Sequence, residues 1–373
     1  MSGSFNKRML PIGFSVLSLA LSPLAFAAAS DEFLSTDATG LRSSNFHGEV
    51  GYDLMNSTVD VFNLRTRQGP VPDNAGDYHG GHLSLDYKWS PHWATEATYW
   101  RRDIAYGTST NQIDSWLLAL YYDPLAEPHA QDRAIFRFSV WGDRASALSK
   151  NSPTLIGSTT FNQINVQNPT DIQAQIDAIF SSQLNDHNML TGFVSGGLSS
   201  VDVGDINASV QKGKCNFNVA ISSDNIANGT LAAPCQVGNS QIQSASFSVS
   251  SLQYGVDINK DMVYRAGFLG LGGSWRWTYN RWTSNVGYQF QYIKRDNVDK
   301  QVSQFGGSPL RTNQTIGVDV AYKINKNVDL FVQGQAFKSN FVGSIPFLYN
   351  AVTASRLNRY YGLTTFGVRF TGF

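Results

Sequence analysis

The stretch 315-TIGVDVAYKI-324 places Ile316, Val318, Val320, Tyr322 and Ile324 on one side of an extended backbone and Thr315, Gly317, Asp319, Ala321 and Lys323 on the other. Successive side chains of a strand point to opposite faces, so a period of two reads as a strand with one apolar and one polar face. Working outward, the same pattern recurs. Val286, Tyr288, Phe290 and Tyr292 alternate with Asn285, Gly287, Gln289 and Gln291. Leu83, Leu85, Tyr87 and Trp89 alternate with His82, Ser84, Asp86 and Lys88. Phe46, Gly48, Val50, Tyr52 and Leu54 alternate with His47, Glu49, Gly51 and Asp53. A weaker version sets Ala134, Phe136, Phe138 and Val140 against Ile135, Arg137 and Ser139.

Soluble sandwiches alternate too. Three features point to strands that cross a membrane. The predicted strands run to roughly 9–13 residues, where about 5–6 is usual in soluble sheets and about 9–11 spans a bilayer. Short turns (Ser90-Pro91-His92, Asn280-Arg281, Asn325-Lys326-Asn327) alternate with long polar connections at 63–78, 296–311 and 341–358. Aromatics crowd the short turns at Trp89, Trp93, Tyr279, Trp282 and Tyr322, as expected at a headgroup boundary. The fold class is therefore all-β, a transmembrane antiparallel β-barrel. Its strands are expected near 46–58, 79–89, 92–105, 112–122, 133–146, 188–202, 246–258, 264–279, 282–295, 313–324, 327–339 and 359–371. Twelve is even, which returns both ends of the chain to one side. A hairpin near 207–222 would raise the count to fourteen, and a different merging of 246–279 would lower it to ten.

Composition agrees. Of 373 residues only 15% are charged, 13% are aromatic and 33 are Gly, which excludes wholesale disorder. The formal net charge is zero, so nothing favours a nucleic-acid partner. Lys7 and Arg8, an apolar run from Ile12 to Leu21, and Ala25-Phe26-Ala27 read as a signal peptide over 1–27. Its cleavage would remove two cations and no acid. A segment 28–45 on the periplasmic side would precede a barrel over 46–373.

The chain closes on Phe366-Gly-Val-Arg-Phe370-Thr-Gly-Phe373. Together with the leader and the strand pattern, this ending resembles that of Gram-negative outer-membrane β-barrel proteins. Phe373 lies one step out of phase with Phe366, Val368 and Phe370, which a bulge at Gly372 would correct. The resemblance implies an outer-membrane location, contact with lipid and a lumen that passes small solutes. It implies no subfamily and leaves the oligomeric state open.

The region 148–245 is rich in Ser, Asn, Gln and Gly and reads as a loop-rich insertion. Within it, Thr170-Asp-Ile-Gln173 matches a capping box, and Ile172, Ile176, Ile179, Phe180 and Leu184 predict a short helix. Cys215 and Cys235, the only cysteines, predict one disulfide. No His lies near them in sequence, so neither a metal site nor a cofactor is expected.

The candidate functional residues are the charged members of the predicted inner face: Glu49, Asp53, Asp86, Glu96, Arg102, Arg137, Arg276 and Asp319. His47, His82, Lys88 and Arg133 accompany them. Such a set could be an acid–base site, but cross-strand ion pairs bracing a polar wall and setting the field of a pore are the plainer reading. No Gly-x-Ser-x-Gly or HExxH motif occurs, and no catalytic residue is assigned. The expected function is a porin-like passage for small polar solutes. The alternatives are a surface-binding or adhesion barrel working through 148–245, an outer-membrane hydrolase, and a soluble exported β-protein.

Overall fold

A computed structural model describes residues 45–55, 77–106, 109–126, 132–150, 153–156, 159–339, 344–351, 353–358 and 360–372. The predicted leader, nearly all of segment 28–45, most of the connection 63–78, and Phe373 lie outside these.

Twelve strands form a closed antiparallel barrel. The first five are β1 (Phe46–Met55), β2 (Asp77–Lys88), β3 (Trp93–Tyr106), β4 (Ser109–Tyr122) and β5 (Asp132–Ala145). A first insertion carries β6 (Ala147–Lys150), β7 (Thr154–Ile156) and β8 (Thr159–Gln167). The wall resumes with β9 (Thr170–Asn185) and β10 (Asn188–Asp202). A second insertion carries β11 (Ile206–Lys212), β12 (Cys215–Ile221), β13 (Ile226–Leu231), β14 (Cys235–Val237), β15 (Ser240–Ile242) and β16 (Ser246–Ser250). The wall then runs through β17 (Tyr264–Tyr279), β18 (Trp282–Arg295), β19 (Thr312–Lys323), β20 (Val328–Lys338) and β21 (Tyr360–Thr371). Pairing of β21 with β1 closes the barrel, as it must in lipid, where an open sheet edge would leave backbone groups unpaired.

The faces fall as the alternation requires. Val50, Leu83, Phe138, Val194, Leu271, Ile316 and Val332 are exposed on the outside, while Asp53, Arg137, Asn285 and Asp319 are buried within. At the short-turn end the aromatics form a girdle. Trp93 meets Tyr122 at 4.6 Å, Trp282 meets Tyr322 at 4.8 Å, and Trp277 stacks on Tyr279 at 5.8 Å. Gly372 takes a left-handed backbone (φ 61°) and donates its N–H to the Phe46 carbonyl, so the last strand departs from regular geometry at the position its phase break marks.

Two sequence expectations need correction. Residues 170–185 form a wall strand, among the longest in the barrel, and no helix. Ile172, Ile176, Phe180 and Leu184 recur every four residues, which satisfies both a helical stripe and a strand's alternate face. Ala174, Ala178 and Ser182 between them hide the alternation, and Asp171, Gln173, Gln175 and Asp177 point inward and are buried. Conversely, 246–258 contributes no wall strand. Ser246–Ser250 pairs with β13 outside the barrel, and a 3-10 turn at Ser251–Tyr254 follows. Twelve was the right total with one member exchanged.

The two insertions fold together. β8 from the first pairs with β11 from the second, giving one seven-stranded sheet in the order β16-β13-β12-β11-β8-β6 with β7 beside β8. This cap stands at the end of the barrel opposite the short turns. Its lower face packs Val166, Val203, Ile206, Ile221, Ala227, Ile258 and Met262 together. The Cys215–Cys235 disulfide ties the start of β12 to the β14–β15 hairpin.

A barrel of about eight strands is filled by its own wall side chains, and twelve leave more room. Here the connection between β20 and β21 occupies part of it. Ile345, Phe347, Leu348 and Tyr349 turn inward and are completely buried or nearly so against Trp141, Tyr264, Phe268, Phe337 and Tyr361. Polar contacts fix the segment. The Phe347 N–H donates to Asp171 (3.3 Å), the Tyr264 hydroxyl donates to the Pro346 carbonyl (2.6 Å), and the Leu310 N–H donates to the Tyr349 hydroxyl oxygen (3.0 Å). The Arg295 guanidinium lies 3.8 Å from the Tyr349 ring centroid. The loop-side mouth thus carries an apolar plug made from the chain itself.

Candidate functional site

Below the plug, on the short-turn side, inward side chains converge on a polar chamber of about 140 Å³. Strand register builds it. Asp53, Thr365, Gln333, Asp319, Asn285 and Arg276 are successive cross-strand partners, so they form one polar row along the wall from β1 back to β17. Glu49 faces Arg369 across the β1–β21 seam.

Arg369 is the hub. It grips Asp319 through both terminal nitrogens (2.9 and 2.8 Å) and reaches Glu49 through Nε at 2.5 Å. The planar fork of Arg suits such bidentate pairing. His82 bridges two acids, with Nε2 at 3.1 Å from Glu49 and Nδ1 at 3.0 Å from Asp53. Its partner across the ladder is Gly51, where a Cβ would sit 2.2 Å from the imidazole, so the missing side chain makes the space His82 occupies. Glu96 accepts hydrogen bonds from the hydroxyls of Tyr121 (2.5 Å) and Thr98 (3.0 Å) and pairs with Arg137 at 3.2 Å. Asp86 and Glu96 are direct cross-strand neighbours, two acids side by side.

Of the eight residues singled out in the sequence, Glu49, Asp53, Asp86, Glu96, Arg276 and Asp319 line this chamber. Arg137 is buried in the adjoining wall, between Glu96 and Asp177. Arg102 lies nearer the loop side, bonded to Asp143 and Ser115 and beside the Trp100 ring. The sequence reading left out three participants. Arg369 was available in principle, since it alternates with Val368 and Phe370. Asp177 and Asp171 were hidden by the helical reading of β9. Five acids, two Arg and His82 line the chamber together with His47, so acid predominates. Among the described residues no group of His, Cys, Asp and Glu has the arrangement of a metal site.

An apolar belt outside, an aromatic girdle, closure without a sheet edge and a charged lumen together define an outer-membrane β-barrel protein, and the chain is one. No protein-family model matches it, and no curated protein matches it in sequence. Among solved structures, the KdgM porin aligns at 8% identity and a TM-score of 0.37, covering 88% of this chain and 99% of that one. The toluene transporter TodX of P. putida aligns at 11% and 0.41, covering 94% and 96%. The translocator domain of autotransporter NalP from Neisseria meningitidis aligns at 9% and 0.41, covering 90% and 92%. The assignment to the class rests on the strands and faces of this chain.

Proposed function

We propose that the protein is a porin-like channel for small polar solutes, with a preference for cations. The observation that carries the reading is the excess of carboxylates over guanidiniums around the chamber. Adjacent acids such as Asp86 and Glu96 repel one another, and a positive solute passing between them lowers that cost. Acidic side chains lining a pore favour cations in general. In this arrangement the plug closes the loop-side mouth, so passage requires residues 344–351 to move aside. Its three hydrogen bonds are individually modest, each worth about 0.5–1.5 kcal/mol, while its apolar side chains hold it shut at rest.

Conductance of the refolded protein in planar bilayers tests this. Wild type is expected to open rarely. Replacing 345–349 by Gly and Ser is expected to give steady conductance, with a reversal potential in a KCl gradient that favours K⁺. Asp86→Asn with Glu96→Gln is expected to weaken that preference. Absence of any channel in the plug variant, at every salt and voltage, would reject the reading.

The cap supports a second activity, binding at the cell surface, because a large folded sheet outside the membrane is more than a passive pore needs. The structure of its outer face narrows the choice of partner.

A further inference from the structure

Alternation divides the cap as sharply as it divides the barrel. One face carries the small apolar core. The other carries side-chain amides from four adjacent strands: Gln163 and Asn165 on β8, Asn207 on β11, Asn218 on β12 and Asn228 on β13. Register aligns Asn165, Asn207, Ala220, Asn228 and Ser248 in one cross-strand row, and a parallel row runs from Gln163 to Ser246. These residues line a shallow trough open to solvent. Among the described residues, no Asp, Glu, Lys, Arg or His lines it. The side chains of Asn207, Asn218 and Asn228 make no hydrogen bond to another described residue, so their amides face outward with donors and acceptors unspent.

We propose that this trough binds a neutral glycan. Each amide offers two donors and an acceptor oxygen with two lone pairs, and each sugar hydroxyl both donates and accepts, so the two surfaces match without charge. Phosphate or carboxylate groups would call for Arg or Lys, and the trough has none. A protein partner would ordinarily be anchored by Tyr, Trp or Arg near the centre of the contact. The aromatics of this sheet, Phe161, Phe217 and Phe247, alternate onto the opposite face, with Phe217 and Phe247 edge to face at 5.7 Å and Phe247 also bordering the trough. A face meant only for water is usually studded with Lys and Glu, and their absence here removes the ions that would hold a shell of water against an uncharged ligand. Five strands span about 19 Å, enough for several sugar rings in file. The β8–β11 ladder and the Cys215–Cys235 bond fix the strands before any ligand arrives, which lowers the ordering cost of binding. This inference rests on the outer-membrane placement and does not depend on the channel reading.

The test is titration calorimetry of the full-length protein in detergent with maltohexaose, cellohexaose and chitohexaose, and with hexagalacturonate as the anionic control. At least one neutral hexasaccharide is expected to bind and the anionic one is not. The triple variant Asn207→Ala, Asn218→Ala, Asn228→Ala is expected to weaken binding by about tenfold or more, from the loss of three hydrogen-bonding groups. Its heat-dependent gel mobility and its bilayer conductance are expected to match wild type, which reports an intact barrel. Asn218→Asp, which places a fixed charge in the trough, serves as an independent second variant and is also expected to weaken binding. The proposal is overturned if none of the three neutral sugars binds at millimolar concentration. It is equally overturned if hexagalacturonate binds as well as they do, or if both variants bind like wild type.

Discussion

The barrel wall and the cap sheet use one sequence device to opposite ends. In both, every second side chain is apolar. In the wall, Val194 and Ile316 look outward and Asp177 and Asp319 are buried; in the cap, Ile206 and Ile221 are buried and Asn207 and Asn218 look outward. Alternation states that a sheet separates two environments. Which face is which depends on what lies beyond it, hydrocarbon around the wall and water around the cap. The polar faces differ in kind as well. The wall's inner face is charged and internally paired, because acids and guanidiniums shielded from bulk water must satisfy one another. The trough on the cap's outer face is lined by no charged side chain among the described residues and leaves the amides of Asn207, Asn218 and Asn228 open.

The pairing inside the wall supplies the largest expected effect. Arg369→Met strands Glu49 and Asp319 in the lumen, and removing one partner of a buried ion pair typically costs about 3–5 kcal/mol. The urea midpoint, followed by heat-modifiable gel mobility, should fall markedly, with partial recovery in Arg369→Lys. An unchanged midpoint would mean that the lumen is hydrated enough to make its ion pairs dispensable, and the contrast with the cap would lose its basis.

Placing a charge on each outward face tests the comparison next. Val194→Arg puts a cation at mid-height of a lipid-facing strand and should cost about 2–4 kcal/mol in lipid vesicles. Thr230→Arg on the cap's outer face should stay within about 0.5 kcal/mol, as for an ordinary exposed site. Equal costs would show that the two faces meet the same medium.

The smallest effect concerns the junction between cap and plug. Asp261 lies in the connection between β16 and β17, and burial pushes its carboxyl up to about 6. Asp257 adds to the rise, while Lys260 and the Asp257 N–H oppose it. The Asp261 carbonyl accepts the N–H of Ala351, next to the plug. Because the folded state holds this proton more tightly than an unfolded chain does, the junction is firmest below the ordinary carboxyl value of 3.8 and loosens progressively until the pH has risen through about 6. Hydrogen exchange at 257–263 and 345–351, corrected for intrinsic rates, should show more protection at pH 5 than at pH 7. Asp261→Asn should remove that difference.

Much of the wall was legible because hydrocarbon demands strict alternation, and Ile316 to Ile324 or Val286 to Tyr292 obey it without interruption. The candidate chamber followed from the same rule, since the out-of-phase positions must point inward: Glu49, Asp53, Asp86, Glu96, Arg276 and Asp319 needed only their parity. Strand β9 resisted because its outward residues recur every four positions with Ala and Ser between, a pattern shared by helix and strand. Its identity as a wall strand is settled by pairing with its hairpin neighbour β10 and with β5, which lies across the first insertion in the chain.

Composition and period alone determined that this chain alternates, closes into a barrel of about twelve strands and carries a charged inner face, because each is a local consequence of which residues sit at even and odd positions. The folding of the last connection into the mouth, the joining of two separate insertions into one cap and the convergence of Arg369 on Glu49 and Asp319 were decided only in three dimensions. Those contacts join segments far apart in the chain, and no local period specifies which distant segment will fill a cavity or complete a sheet.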